Sequence, residues 1–543
     1  MRILKKCISL SMFSAALWGW SESIHAELIR IGGLSTPNVA EIASYDPLTN
    51  RLFTTTGGGA AVIEFGDGTN LSNSATTIDV SSLFSGDLSG VSSITVDPNG
   101  RGFGVLTAIP NDNTGTLGKA VLFNTSTGAI LKELDVGFHP DMVTFTPDGQ
   151  KILIANEGEA NSTSDAPGSI SVIDVSGVAT VGDVGTLSNA NVTTKDFSAS
   201  NLGPGVPALS SLRINPANSA TPQNDLEPEY ISVKDGKAYV SLQEANAVAV
   251  FDLASNTWED IQPLGTIIQT IDASDQDSGI SINDAVRGLP MPDTIGTFKV
   301  GDQTFYVTAN EGDTRDPGFN VGDNGRMRAN TTDADVGAAL RNNATGIGRL
   351  TISLTDGNTD ADPQIEIPYM FGTRSFSIWD ASDGSLIFDS GSDFETITAT
   401  EVPTLYNSEL GLTGEFDKRS DNKGPEPEGL VIGKIYGTTY AFISLERTGG
   451  IMQYDITDPF NPFFVDYINT SLAHGTAAPE GLVFIPSATS PNGRNLLVAA
   501  YEASGGVEVF EIVGAVPEPS SMMLLGMGSI GLWMIRRRLN RKP

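Results

Sequence analysis

The chain has 543 residues with 65 acidic against 32 basic side chains, a formal net charge of −33. Eight of the basic residues fall at positions 2–6 and 536–542, so residues 27–535 carry 24 basic and 64 acidic groups, close to −40; such a surface repels nucleic-acid phosphates and anionic membrane and favours cations. The one cysteine, Cys7, lies in the leader, which excludes disulfides and thiolate metal sites from the exported chain.

Residues 1–26 read as an export signal: a basic start (Arg2, Lys5, Lys6), an apolar run from Ile8 to Trp20, and small Ala26 as the cleavage residue. The run is too short for a membrane anchor and ends in polar Ser21, Glu22 and Ser23. The exported chain then opens with E-L-I-R-I-G-G-L, an isolated strand. After it, 59 glycines and 29 prolines divide the chain into short β-rich runs with no long helical periodicity; only Asp333 to Arg341 reads as helix.

These runs form a repeating unit, most legible from Pro427 to Ile456, where P-E-G-L-V-I, T-Y-A-F-I-S-L-E-R and I-M-Q-Y-D-I follow one another. A proline followed by an acid opens the unit at Asp141, Glu229, Asp293, Glu428 and Glu480; Glu41 and Ser92 fit the same register, each six residues before a proline, as Asp141 is. The closest starts lie 51, 49 and 52 residues apart. A period of about 50 residues with three or four strands is that of a WD40- or YVTN-like propeller blade. The fold class is therefore all-β: a single seven-bladed β-propeller over residues 27–515, with loop insertions near Val181 to Gln223, Asp272 to Pro290 and Thr314 to Lys423. In the largest insertion, Phe376 to Trp379 and Leu386 to Asp389 flank D-G-S like a hairpin of extra strands. The last unit stops one strand short, and Leu28 to Ile31 is placed to supply its outer strand and close the ring.

Residues 516–543 have three parts: V-P-E-P at 516–519, an apolar run from Met522 to Ile535, and Arg536, Arg537 and Arg538. This resembles the PEP-CTERM sorting signal, which implies recognition and cutting by a membrane exosortase in a Gram-negative-type bacterium. The run spans only about 21 Å as a helix, short of a roughly 30 Å hydrocarbon core, so the expected attachment is transient and the arginines stay cytoplasmic.

In a blade the start of the innermost strand and the end of the next meet on one face. The starts place Glu41, Asp141, Glu229, Asp293, Glu428 and Glu480 there, and the second strands end at Glu157, Glu244, Glu311, Glu446 and Glu502, with Asp313 close behind Glu311. Carboxylates packed so closely need protons, cations or arginines as compensation. An oxygen-only donor set without Cys or His clusters selects hard cations, Ca2+ first and Mg2+ second. Arg315 and Arg447 would balance charge within the ring or hold an anionic substrate. D-A-S-D-Q-D-S-G at 272–279 departs from calcium-loop spacing and reads as solvated loop. Outside the leader only His139 and His474 remain, without H-E-x-x-H, and G-x-S-x-G is absent, so zinc and serine-hydrolase chemistry find no support.

The segments A-N-E-G-E-A (155–160), D-L-E-P-E-Y (225–230), L-Q-E-A-N-A-V-A-V-F-D (242–252), M-P-D-T-I (291–295), A-N-E-G-D-T-R-D (309–316), G-P-E-P-E-G-L (424–430) and L-E-R-T-G-G-I-M-Q-Y-D (445–455) together resemble the choice-of-anchor I family. The resemblance implies a secreted bacterial propeller with an interchangeable C-terminal anchor. It extends more distantly to β-propeller phytases and alkaline-phosphatase-like proteins, in which carboxylate-held calcium binds phosphate. Ser92 stands where other units carry an acid, and no glutamate follows Phe53 to Thr55 or Val105 to Thr107, so a metal ring would be incomplete on that side. The expected function is a Ca2+-binding interaction module at the cell surface or in the extracellular matrix. Its partners would be an exosortase-type enzyme and an extracellular polysaccharide or phosphorylated small molecule, with no nucleic acid, and with membrane contact only through the tail. The alternative is a Ca2+-dependent phosphoester hydrolase, with Arg315 or Arg447 neutralising phosphate.

Overall fold

A computed structural model describes residues 26–36, 40–161, 164–216, 220–315, 322–327, 338–360 and 364–514; the leader before Ala26 and the sorting tail lie outside them. Seven antiparallel blades form a ring. Their innermost strands are Ala43–Asp46, Ile94–Val96, Pro140–Phe145, Pro228–Lys234, Ile295–Val300, Pro427–Ile435 and Pro479–Ile485. Each touches the next and the last touches the first, around one central axis. Every expected unit start falls at the head of one of these strands. The N-terminal strand Glu27–Leu34 pairs antiparallel with Val507–Val513, the third strand of the last blade, from Glu27↔Val513 to Leu34↔Val507. The ring is thus closed by the strand the sequence pointed to.

The alternation of side chains along the middle strands explains the core. In Lys151–Asn156, Ile152 and Ile154 pack towards the second blade, while Leu153 and Ala155 pack towards the fourth. Such strands are covered on both faces and read as unbroken apolar runs. The core is accordingly a set of layers, one between each pair of neighbouring blades.

Two expectations about the insertions need correction. Val192–Asp196, inside the expected insertion at 181–223, is the outer strand of the third blade, paired through Ser169↔Asp196; V-T-T-K-D faces solvent and carries no apolar signature. Phe376–Asp380 and Leu386–Asp389 do form a hairpin, but as the third and fourth strands of the fifth blade rather than as additions. The insertion therefore interrupts that blade after its second strand. A helix, Asp393–Glu401, is also present where none was expected; of the expected helix at 333–341, Ala338–Arg341 is helical and the rest lies outside the described residues.

The direction of the insertions matters most. Except for 175–191, which joins the third and fourth strands of the third blade, they leave from the end of a second or fourth strand and so rise on the face where the innermost strands begin, here called the upper face. First-to-second and third-to-fourth connections, which are mainly short turns, make the lower face.

Candidate functional site

The innermost strands begin with a shared irregularity. Register breaks between Pro140 and Val143, Pro228 and Ile231, Pro427 and Leu430, and Pro479 and Leu482. The acid after each proline, Asp141, Glu229, Glu428 or Glu480, therefore sits on a bulge, released from the ladder. The residue before the proline has positive φ at His139, Met291, Glu426 and Ala478 (43° to 55°), a conformation costly for side-chain-bearing residues and concentrated here at one site. Second-strand hydroxyls stitch the opening: Gly429 N–H donates to Ser444 Oγ (2.9 Å), Tyr230 N–H to Ser241 Oγ (2.9 Å), Ser93 N–H to Thr107 Oγ1 (2.9 Å) and Ile42 N–H to Thr55 Oγ1 (3.1 Å). Glycine is required where these strands converge, since a Cβ on Gly429 would lie 1.8 Å from the Glu480 carbonyl oxygen.

The result is a well of about 310 Å³ at the upper end of the axis. Its wall holds ten carboxylates, Glu41, Asp141, Glu157, Glu229, Asp293, Glu311, Asp313, Glu428, Glu446 and Glu480, against two cations, Lys423 and Arg447. An adjoining recess of about 110 Å³ is lined by Glu157, Glu159, Glu227, Glu229, Glu244, Asp313 and Arg315. Ser92 and Ser93 occupy the second blade's share of the wall, so the ring is open there as expected. Glu502 does not line the well; it is exposed at the rim, close enough to raise Glu41 and Glu480 electrostatically.

Within the well, oxygens of Asp293, Glu311 and Glu428 all lie within 4.8 Å of one another, the widest spacing at which ligands about 2.4 Å from one ion can stand. Glu229 and Glu244 are buried, yet Oε2 of each has no hydrogen-bond partner among the described residues, and the same holds for Glu428 Oε2. Burial, then repulsion from Asp141 and Glu502, pushes Glu41 to about 8. Burial likewise raises Glu244 to about 8 against the pull of Arg315, and burial with Glu426 raises Glu446 to about 8. Asp141 is pushed by burial to about 6, with His139 pulling it down. Glu157, Glu229, Asp293, Glu428 and Glu480 are driven well above the ordinary carboxylate range by burial first and by neighbouring carboxylates second.

Sequence reasoning named Arg315 and Arg447 as counter-charges but missed Lys423 and Arg419. Lys423 Nζ donates to Glu311 Oε1 (2.7 Å) and lies 3.1 Å from Glu426 and 3.3 Å from Asp313. Burial alone would raise fully enclosed Glu426, but Lys423, Arg419 and Arg447 outweigh it and hold this carboxyl at about 2. The signal was G-P-E-P-E-G-L itself: its first glutamate, Glu426, is the anchor for these cations and its second, Glu428, faces the well. Arg447 pairs with Glu426 and with Glu446 (3.0 Å) while remaining partly exposed to the well. Of the two roles expected of Arg315, balancing charge or holding an anion, its contacts are those of the first. It is 1% exposed and bound by Asp225 (2.6 and 3.0 Å), Asp323 (3.4 Å) and the Arg213 carbonyl (3.1 Å); the insertion loops supply its neutralising acids, so it clamps them instead of facing an anion. His139 Nδ1 lies 3.3 Å from Glu157 and 3.1 Å from Glu159, beside the wall. Asp272 is fully buried and accepts from Ser281 N–H (2.7 Å), and Asp275 binds Arg349 of the next insertion (2.8 Å), so the start of 272–279 is packed against that insertion rather than being a solvated loop.

Two proteins of known name are similar to parts of the chain. Gigasin-3a of Magallana gigas is 29% identical over 186 residues, 31% of this chain and 65% of its own. Mesenchyme-specific cell surface glycoprotein of Strongylocentrotus purpuratus is 30% identical over 274 residues, 42% and 35% respectively. This chain thus spans under two thirds of either relative. Among solved structures, Kuenenia stuttgartiensis hydrazine synthase (TM-score 0.44, 10% identity, 89% of this chain and 98% of that one) and the WD40 domain of Toxoplasma gondii coronin (0.41, 7%, 91% and 90%) are similar, at a level that carries no functional argument. The PEP-CTERM protein-sorting motif matches residues 515–538, which marks an exported, cell-surface-associated bacterial protein sorted by an exosortase-type system. The model of the choice-of-anchor I domain matches residues 41–459, and the chain belongs to that family.

Proposed function

We propose that this choice-of-anchor I protein holds hard divalent cations, Ca2+ before Mg2+, in its upper well. It acts in the extracellular polymer layer as a cation-stabilised binding module for polysaccharide or a phosphorylated small molecule. Its tail attaches it to the membrane until an exosortase-type enzyme cuts it. The observation that carries the cation reading is the pair of buried, unpartnered carboxylate oxygens on Glu229 and Glu244; a buried acceptor without a donor is costly, and a cation meets that need in a site built only of oxygen. The Asp293, Glu311 and Glu428 oxygens are spaced to share one ion. Calorimetric titration of the exported protein with CaCl2 tests the reading. Binding that is lost in the Glu311→Gln, Glu428→Gln double variant supports it, and a wild type that takes up no Ca2+ refutes it.

One observation favours a cation-dependent phosphoester hydrolase: Lys423 and Arg447 share the wall with that carboxylate triad, as recognition of phosphate beside a cation requires. A bound cation there would supply charge neutralisation and an activated water. Turnover of a generic phosphomonoester by the Ca2+-loaded protein, abolished by Arg447→Ala, would establish it; Ca2+ uptake without turnover leaves the binding module.

A further inference from the structure

We infer that the lower face of the fifth and sixth blades rests on the membrane while the tail is attached, with Tyr436, Phe460 and Phe463 seated at the lipid interface. This rests on the transient anchoring proposed above and adds an orientation to it. The lower face is made mainly of short turns, yet Tyr436 is 65% exposed, Phe460 57% and Phe463 42%. Tyr436 occupies the turn between Pro427–Ile435 and Thr438–Leu445. Phe460 and Phe463 stand where the third strand of the same blade hands over to its fourth. Phe460 is held in place edge-on against Phe305 of the fifth blade, with ring centres 6.1 Å apart.

The chain leaves the ring beside this patch. Val513 ends its strand on the lower face, opposite Glu27, and Leu28 N–H donates to Asp466 on the sixth blade's outer strand (2.7 Å). Only eight residues, 514–521, separate Val513 from the apolar run that starts at Met522, a tether of at most about 28 Å when fully extended. With the run in the bilayer, so short a leash brings the lower face to the lipid, where Tyr settles at headgroup depth and Phe buries its ring at the headgroup–acyl boundary. Asp302 and Asp458 share this face, so the contact is with lipid in general and anionic headgroups should not strengthen it. The acidic well then points away from the membrane, towards the polymer layer.

The test uses the full chain in a Cys7→Ser background, reconstituted into phosphatidylcholine vesicles that carry a headgroup nitroxide. One fluorophore is placed on Asp302→Cys at the lower face, or on Asp112→Cys in a second-to-third-strand loop at the upper face. The expected result is at least threefold stronger quenching at position 302 than at 112, a difference erased by Phe460→Ser with Phe463→Ser. Tyr436→Ser, which leaves the Phe305 contact untouched, should reduce it in the same direction. Equal quenching at the two positions, or quenching unchanged by both sets of serines, overturns the inference. Flotation separates the two layers of argument: a chain that does not float with vesicles overturns the anchoring itself, whereas one that floats without a preferred face overturns only the docking surface.

Discussion

Without cations the protein should lose stability as pH rises, against the usual behaviour of acidic side chains. Glu41, Glu244 and Glu446 sit at about 8 in the folded chain, against an ordinary value of 4.5. A carboxyl whose folded value lies above its unfolded one binds protons more tightly in the native state. Its contribution to stability is full below pH 4.5 and is lost as pH climbs through about 8. At about 1.4 kcal/mol per pH unit, the gap for one such group corresponds to about 5 kcal/mol. Each is coupled to further charged groups around the well, so the three contributions do not simply add, and a loss on the order of 5 kcal/mol, rather than three times that, is the expectation between about pH 5 and pH 8. Urea unfolding of EDTA-treated protein at those two pH values measures it: the midpoint should be higher at the lower pH. Saturating Ca2+ should raise the midpoint more at the higher pH, where it replaces protons on the same oxygens. An EDTA-treated protein equally stable at both, or a Ca2+ gain larger in acid, would refute the reasoning.

Lys423→Met leaves Glu311 and Asp313 without their cation while Glu426 keeps Arg419 and Arg447; the cost should fall at the low end for a broken buried pair, about 3 kcal/mol by urea unfolding. The same variant should bind Ca2+ more tightly by calorimetry, because a positive charge has left the wall. Gly429→Ala drives a methyl into the Glu480 carbonyl, so unfolding should come about 3 kcal/mol sooner and Ca2+ affinity should fall as Glu428 and Glu480 move apart. Arg374 is fully buried, bound to Glu395 (2.7 Å) and to the carbonyls of Asp272, Ser420 and Asn422; Arg374→Met should cost about 3–5 kcal/mol and let protease cut the insertions while the blades stay intact.

What could be read from the sequence is what the local pattern controls. A proline and an acid before a β-rich run, and a glutamate after the next run, repeat because each blade solves the same packing problem, and the topology then converges them without further information. The N-terminal strand was legible for the same reason, since the final unit lacked a partner for Val507–Val513. The outer strand Val192–Asp196 was hidden because an edge facing solvent needs no apolar residue. The Asp393–Glu401 helix was hidden because only one stripe of it, Phe394, Glu395 and Thr398, is buried, and that stripe is largely polar.

Lys423 and the partner of Arg315 escaped for a different reason, and it bears on how the site works. Lys423 meets Glu311 across 112 positions of sequence, and Arg315, though named as a counter-charge, finds its acid Asp225 90 positions away; no local pattern encodes such pairs. The blades supply the acids on rigid bulges, and the loops above blades four to six decide how many of those acids are neutralised and how many stay open. Lys423 and Arg447 spend most of their donors on Glu311, Glu426 and Glu446, whereas Glu229, Glu244 and Glu428 keep oxygens with no donor. The unpaired oxygens thus lie on ring positions and the pairing lysine on an insertion. On the proposed cation reading, the capacity of the well follows from Lys423 on the insertion together with Arg447 on the ring. Shortening 418–424 so that Lys423 is lost should change how many Ca2+ ions calorimetry counts while leaving the ring's far-ultraviolet circular dichroism unchanged.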